Sequence, residues 1–435
     1  MPPLASLAES ETLDSQHTKE WLRCYQRIRA ASEALCEPLH TEDYVIQSMD
    51  DVSPPKWHLA HISWFFEAFI LTPFQPSYRT LDPAYDFLFN SYYETHGTPF
   101  PRPSRGTLSR PTVADVYRYR AHIDSAMVEL LKNPPAEHVE EIVRRLELGL
   151  HHEQQHQELL VMDIKHILAQ NPLHPVYRDD LAPAADVDPG PLSWLEYPAG
   201  VRRIGHRASA GFAYDNESPE HREFVEAFMM ASRPVTNGEF LAFMDDGGYE
   251  RSELWLSDGW AQVQQAGWEA PLYWVRRDGI WHYMTLAGLV PVDKNAPVVH
   301  VSFYEAEAYA QWAGARLPTE MEWETVAQAT EIRGNFVEDD HLQPVAAPAR
   351  EGEASQLFGD VWEWTGSAYR PYPGFRTLPG TLGEYNGKFM SGQMVLRGGC
   401  CATPSDHIRH TYRNFFPPHA RWAFSGIRLA KEVQA

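Results

Sequence analysis

Apolar residues recur every three to four positions through roughly the first 170 residues, the period of helices that pack by one face. Four helices are expected at about 16–36, 54–71, 110–132 and 136–169. Pro54 and Pro55 fall in the first turn of the second, where a missing N–H costs nothing, and Ser53 is its expected cap. Thr112 and Asp115 have the spacing of a capping box at the start of the third. Four helices of this length make an antiparallel bundle, a scaffold that often builds metal sites in its interior. The connection at about 72–108 is long for such a bundle, and long connections of that kind are usually functional.

Beyond residue 175 the pattern changes. Residues 176–193 are proline-rich with little apolar content and are expected as a linker, which sets domain limits of 1–175 and 194–435. In the second domain, tryptophans, glycines and short strand-like runs alternate with few helices. One helix is expected at about 303–313 and another from Thr319. The fold class is therefore multidomain: an all-α four-helix bundle followed by an α+β domain with much irregular structure.

Composition narrows the function. The chain has 435 residues and a net charge of -22, which argues against a nucleic-acid partner. No stretch is long and apolar enough to span a bilayer. The acidic opening, MPPLASLAESETLDSQH, lacks the basic and apolar runs of a signal peptide, so a cytoplasmic protein is expected. There are four cysteines and no CxxC pair, too little for a disulfide scaffold; Cys400 and Cys401 are expected as buried thiols. Nothing in the sequence sets the oligomeric state.

Candidate chemistry lies with histidine. HHEQQHQE at 151–158 falls inside the fourth helix and puts His152 and His156 one turn apart on one face, where two imidazoles can converge on a metal. Gln155 lies close to that face, whereas Glu158 is about 200° around from His156 and poorly placed to be a ligand. In the second helix, WHLAHISWFFEAF sets His61 among aromatic and aliphatic residues, where an unpaired imidazole is costly to bury. His58, three residues earlier, is its rival as third ligand. Three neutral imidazoles suit zinc, iron, copper or nickel about equally.

The first domain resembles the DinB-like bundle, whose HxxxHxE element and upstream LAHI histidine match His152, His156 and His61. The second resembles the formylglycine-generating-enzyme, or sulfatase-modifying-factor, fold, which is itself C-type-lectin-like. PAGVRRIG, RPVTNGEFLAFMDDGGY, GARLPTEMEWE, FGDVWEWTGSAY, VLRGGC and FSGIRLA carry that likeness across about 194–430. The combination is that of EgtB-like sulfoxide synthases of ergothioneine biosynthesis and of ovothiol synthases. The latter usually add a C-terminal methyltransferase domain, and the chain ends at 435 without one, so the EgtB-like reading is preferred. A formylglycine-generating enzyme would need copper-binding cysteines in the stretch HIRHTYRNFFPPHARWAFSGIR, which holds none. A zinc DinB-like thiol transferase usually lacks the second domain.

The resemblance implies an iron(II) enzyme that joins C2 of the hercynine (Nα-trimethylhistidine) imidazole to the sulfur of cysteine or γ-glutamylcysteine, consuming O2 and giving a sulfoxide. It favours His61 over His58. It also implies that Gln155 hydrogen-bonds the substrate imidazole and that Arg102 and Arg105 hold the carboxylate of the thiol substrate. In TYRNFF, Asn414 matches a substrate-binding asparagine, and Phe415 and Phe416 are expected to face the trimethylammonium group. Some relatives use a second-domain tyrosine as proton or electron donor. None aligns here, and Tyr92 or Tyr93 is expected in that role.

Overall fold

The computed structural model describes residues 15–433 except 349 and 385; most of the acidic N-terminal stretch lies outside the described residues. The chain divides into two compact units. One comprises Met1–Pro172 with Ser209–Phe212 and Leu378–Tyr385, the other Leu173–Ala208, Ala213–Thr377 and Asn386–Ala435.

The first unit is built on four long helices: α1 (Ser15–Ala34), α2 (Pro55–Phe66), α3 (Val113–Lys132) and α4 (Val139–Gln170). Every residue of α2 is buried, its polar Lys56, His58, His61 and Ser63 included, because the helix is wrapped by its neighbours. The expected Ser53 cap does not form. Pro54 occupies the cap position, while the Ser53 N–H donates to Asp163 Oδ2 at 2.8 Å and its hydroxyl accepts from Arg105 Nη1 at 2.9 Å. The capping box of Thr112 and Asp115 is present at the start of α3. α2 is shorter than its apolar run, since Glu67–Leu71 form a π-helical turn instead. That turn keeps Glu67 buried, where its carboxylate accepts from the hydroxyls of Tyr78 and Tyr119.

Two features fix how the helices meet. Gly149 lets α4 approach α2 closely, since a Cβ there would lie 2.7 Å from Phe66 Cε1 and 2.9 Å from Phe65 Cε1. Glu153 on α4 forms buried ion pairs with Arg29 of α1 at 3.0 Å and Arg120 of α3 at 2.8 Å, and accepts from Ser32 Oγ at 2.7 Å. Arg29 also reaches Ser63 Oγ on α2 at 2.9 Å, so one polar cluster ties all four helices.

The second unit is α+β. Its largest sheet runs in the order Asn414–Phe416, Met394–Arg397, Trp362–Ala368, Ser425–Gly426, with only the last pair parallel. A three-stranded sheet joins Trp194–Tyr197, Phe228–Ala231 and Ala430–Glu432. The motifs noted in the sequence form its buried polar core. Thr319 caps Glu320–Ala327, and that helix supplies Glu320 to Arg413 at 2.9 Å and Glu324 to Arg397 at 2.6 Å. Gly398 adopts φ 104°, and a Cβ there would meet the Leu357 carbonyl at 2.6 Å. Cys400 and Cys401 are buried thiols.

The proline-rich stretch is tied along this unit. Tyr177 N–H donates to the Leu286 carbonyl at 3.0 Å, and Arg178 makes a forked ion pair with Asp340 at 2.7 and 2.9 Å. Among the described residues, no helix is long and apolar enough to cross a membrane.

Candidate metal centre

The three-histidine cluster assembles where α2 and α4 touch. His152 and His156 project from successive turns of α4, their rings 4.6 Å apart, and His61 of α2 lies 5.0 Å from the first and 4.7 Å from the second. One nitrogen of each falls within 4.8 Å of the others. His61 Nε2 and His152 Nε2 are 3.2 Å apart. Two nitrogens each bound at about 2.1 Å to one ion, at roughly 90–110°, are about 3.0–3.4 Å apart, so the gap suits a shared metal. All three side chains are buried.

Their protonation also suits a metal. Burial pushes His152 down to about 3, partly opposed by the Glu153 carboxylate. His61 and His156 lie well below the ordinary imidazole value, first through burial and then through the neighbouring histidines. At neutral pH all three are uncharged and can offer lone pairs. The His61 Nδ1–H donates to the Phe89 carbonyl at 2.6 Å, which leaves Nε2 as the donor atom.

His58 is engaged elsewhere. Its Nδ1 lies 2.9 Å from His156 Nδ1, and its Nε2 lies 2.9 Å from Asp163 Oδ2. With both ring nitrogens committed, it does not join the cluster.

Around the histidines the aromatic residues form a stack. Trp57 lies parallel to His61 at 4.6 Å, and the Arg105 guanidinium sits 3.3 Å over the Trp57 ring. Arg105 is only 3% exposed, yet its hydrogen-bond partners are two neutral hydroxyls, Ser53 at 2.9 Å and Ser91 at 3.1 Å. Among the described residues its Nε finds no acceptor and no carboxylate pairs with it. Burial, reinforced by Arg102 and partly opposed by the Asp163 carboxylate, pulls its pKa well below the usual arginine value. Arg102 itself is exposed and donates to the Asp51 carbonyl.

The tyrosines follow closely on the His61 partner Phe89. Asn90 pins the turn, accepting the Tyr93 N–H at 3.0 Å and donating to the Tyr93 carbonyl at 3.0 Å. Tyr93 is fully buried, stacks on the half-buried Tyr92 at 4.6 Å and touches Trp64 at 5.7 Å; Trp64 in turn stacks on His61 at 5.6 Å. Gln155 is half-buried on α4, and Glu158 is buried.

Asn414, Phe415 and Phe416 belong to the second unit. They form an edge strand of its largest sheet, and all three are half-buried. Asn414 Oδ1 accepts the Phe415 N–H at 2.8 Å, Phe415 stacks on Tyr369 at 4.1 Å, and Phe416 meets Trp422 at 5.4 Å.

Residues 25–160 match the DinB superfamily, and residues 193–355 and 348–433 match the Sulfatase-modifying factor enzyme 1-like domain. A hercynine oxygenase of Mycolicibacterium thermoresistibile is 34% identical over 418 residues, covering 88% of this chain and 88% of that protein. The chain belongs to the hercynine oxygenase family. A second hercynine oxygenase, from Mycobacterium tuberculosis, is 34% identical over 407 residues, 88% of this chain and 92% of its own. Ergothioneine biosynthesis protein 1 of Schizosaccharomyces pombe is 30% identical over 234 residues, 51% of this chain and 28% of its own. As a hercynine oxygenase family member the protein is an oxidoreductase, and its buried cluster of three neutral histidines fits the metal such an enzyme would use.

Sequence reasoning missed Asp163, Phe89 and Glu153. Asp163 carried a signal: it lies seven residues after His156, two turns on along the same face of α4. The other two carried none, because a backbone carbonyl and an ion pair across three helices leave no local pattern.

Proposed function

We propose that the protein is an iron(II)- and O2-dependent sulfoxide synthase of ergothioneine biosynthesis. It would join C2 of the hercynine imidazole to the sulfur of cysteine or γ-glutamylcysteine. The observation that carries this reading is the convergence of three buried imidazoles in a chain of the hercynine oxygenase family. His61, His152 and His156 would hold the iron. When bound, iron(II) would supply the redox chemistry that reduces O2 and would acidify the substrate thiol. The overall balance is one C2–H, one S–H and one O2 giving one sulfoxide and one water.

The chain's own residues do the rest. Arg105 offers a buried positive charge without a carboxylate partner among the described residues, which suits the carboxylate of the thiol substrate. Arg102 would add charge to the same group. Gln155 would hydrogen-bond the hercynine imidazole. Asn414 would bind hercynine, with Phe415 and Phe416 facing its trimethylammonium group. Tyr93, or Tyr92 stacked on it, would hold a proton at its hydroxyl and deliver it as O2 is reduced.

Metal identity is tested by loading metal-free protein anaerobically with either iron(II) or zinc(II) and assaying the C–S product by mass spectrometry in air. Product from the iron form alone supports the reading. Product from the zinc form, or from neither, contradicts it.

A further inference from the structure

We propose that Asp163 and His58 are positioning residues, forming a relay that fixes the tautomer and ring angle of His156 so that it meets the metal through Nε2. The inference rests on the three-histidine reading and concerns a residue pair that holds one ligand.

A carboxylate can only accept, so the 2.9 Å contact between Asp163 Oδ2 and His58 Nε2 puts the His58 hydrogen on Nε2. An imidazole whose hydrogen is on Nε2 presents a lone pair at Nδ1. That nitrogen faces His156 Nδ1 at 2.9 Å, so the hydrogen between them belongs to His156. With Nδ1–H spent on this bond, the lone pair of His156 is on Nε2. Asp163 is itself anchored, because the Ser53 N–H donates to the same Oδ2 at 2.8 Å. Asp163 and His58 are 2% and 3% exposed, which keeps water from competing for either bond.

The arrangement answers to that at His61, where the Phe89 carbonyl takes the Nδ1–H directly. Outer partners of this kind orient metal-bound histidines and raise their basicity. Here the partner is one imidazole further away. Sequence places the relay on the metal-binding helices themselves: His58 stands three residues before His61 on α2, and Asp163 seven after His156 on α4.

The test compares wild type, His58→Phe, His58→Gln and Asp163→Leu. Affinity for cobalt(II) or iron(II) is measured anaerobically by chelator competition, with the visible ligand-field spectrum of the cobalt forms and thermal unfolding of the metal-free forms. Loss of the relay in His58→Phe and Asp163→Leu is expected to weaken binding about 10–100-fold and alter the cobalt spectrum. His58→Gln, whose side-chain carbonyl can still accept the His156 Nδ1–H, is expected to recover most of the affinity at similar metal-free stability. Wild-type affinity in His58→Phe overturns the relay, as does equal loss in the Phe and Gln variants. A wild type that takes up no metal overturns the site reading itself.

Discussion

The Arg105 guanidinium lies 3.3 Å over the Trp57 ring, and Trp57 is stacked in parallel on the imidazole of His61. A buried cation is thus linked through one aromatic ring to a residue of the metal site. Among the described residues no carboxylate forms an ion pair with it, which is costly for a buried charge, and binding an anionic substrate would recover that cost.

Arg105→Met is therefore expected to separate function from stability. Loss of a charge-assisted contact worth about 1.5–3 kcal/mol should raise KM for the thiol substrate roughly 10–100-fold. Removing a buried charge that has no ion-pair partner among the described residues should leave the Tm of the free protein unchanged or higher. Steady-state kinetics and calorimetry on one preparation check both, and a lower Tm with unchanged KM would assign Arg105 to the scaffold.

Glu153 contributes to the acid limb of stability. Burial pushes its carboxyl upward, but Arg29 and Arg120 outweigh that and hold it at about 2. Its contribution is full above the unfolded-state value near 4.3 and is lost as pH falls through the folded value. The shift corresponds to about 3 kcal/mol. Glu153→Gln, which leaves two buried arginines unbalanced, is expected to cost about 3–5 kcal/mol at pH 7 and to weaken the pH dependence of unfolding below pH 4. Urea melts at pH 7 and pH 3 measure both effects.

Gly149 limits the approach of α4 to α2. A methyl group there must displace Phe65, whose ring lies 4.7 Å from His152. Gly149→Ala is expected to destabilise by about 1–3 kcal/mol despite the better helix propensity of alanine. It should also weaken metal binding, read by thermal unfolding and chelator competition. An unchanged or higher Tm would mean that the two phenylalanines yield freely.

For the tyrosines, Tyr93→Phe and Tyr92→Phe are expected to differ from wild type in product partition more than in substrate affinity. The variant that removes the proton donor should divert turnover from sulfoxide toward oxidation of the thiol alone. Product ratios by mass spectrometry decide, and an unchanged sulfoxide yield in both variants removes the pair from the chemistry.

How far the site was legible follows from the range of each interaction. The HxxxH pair repeats with the period of α4, so the convergence of His152 and His156 on one face could be read from spacing. The choice between His58 and His61 could not, because both lie on buried faces of α2 and only the positions of Asp163 and His156 distinguish them. Likewise the Ser53 cap failed because its N–H and hydroxyl are drawn to Asp163 and Arg105, far away in sequence. Arg105 could be named from its motif. Its burial on Trp57 depends on how the long segment before α3 folds back over α2.

The most direct test of the central claim is O2 uptake by iron(II)-reconstituted protein given hercynine with cysteine or γ-glutamylcysteine, followed alongside C–S product. One O2 consumed per sulfoxide formed, with both abolished in His61→Ala, is the expected result. Metal-replete protein that consumes no O2 and forms no C–S bond with either thiol would contradict it.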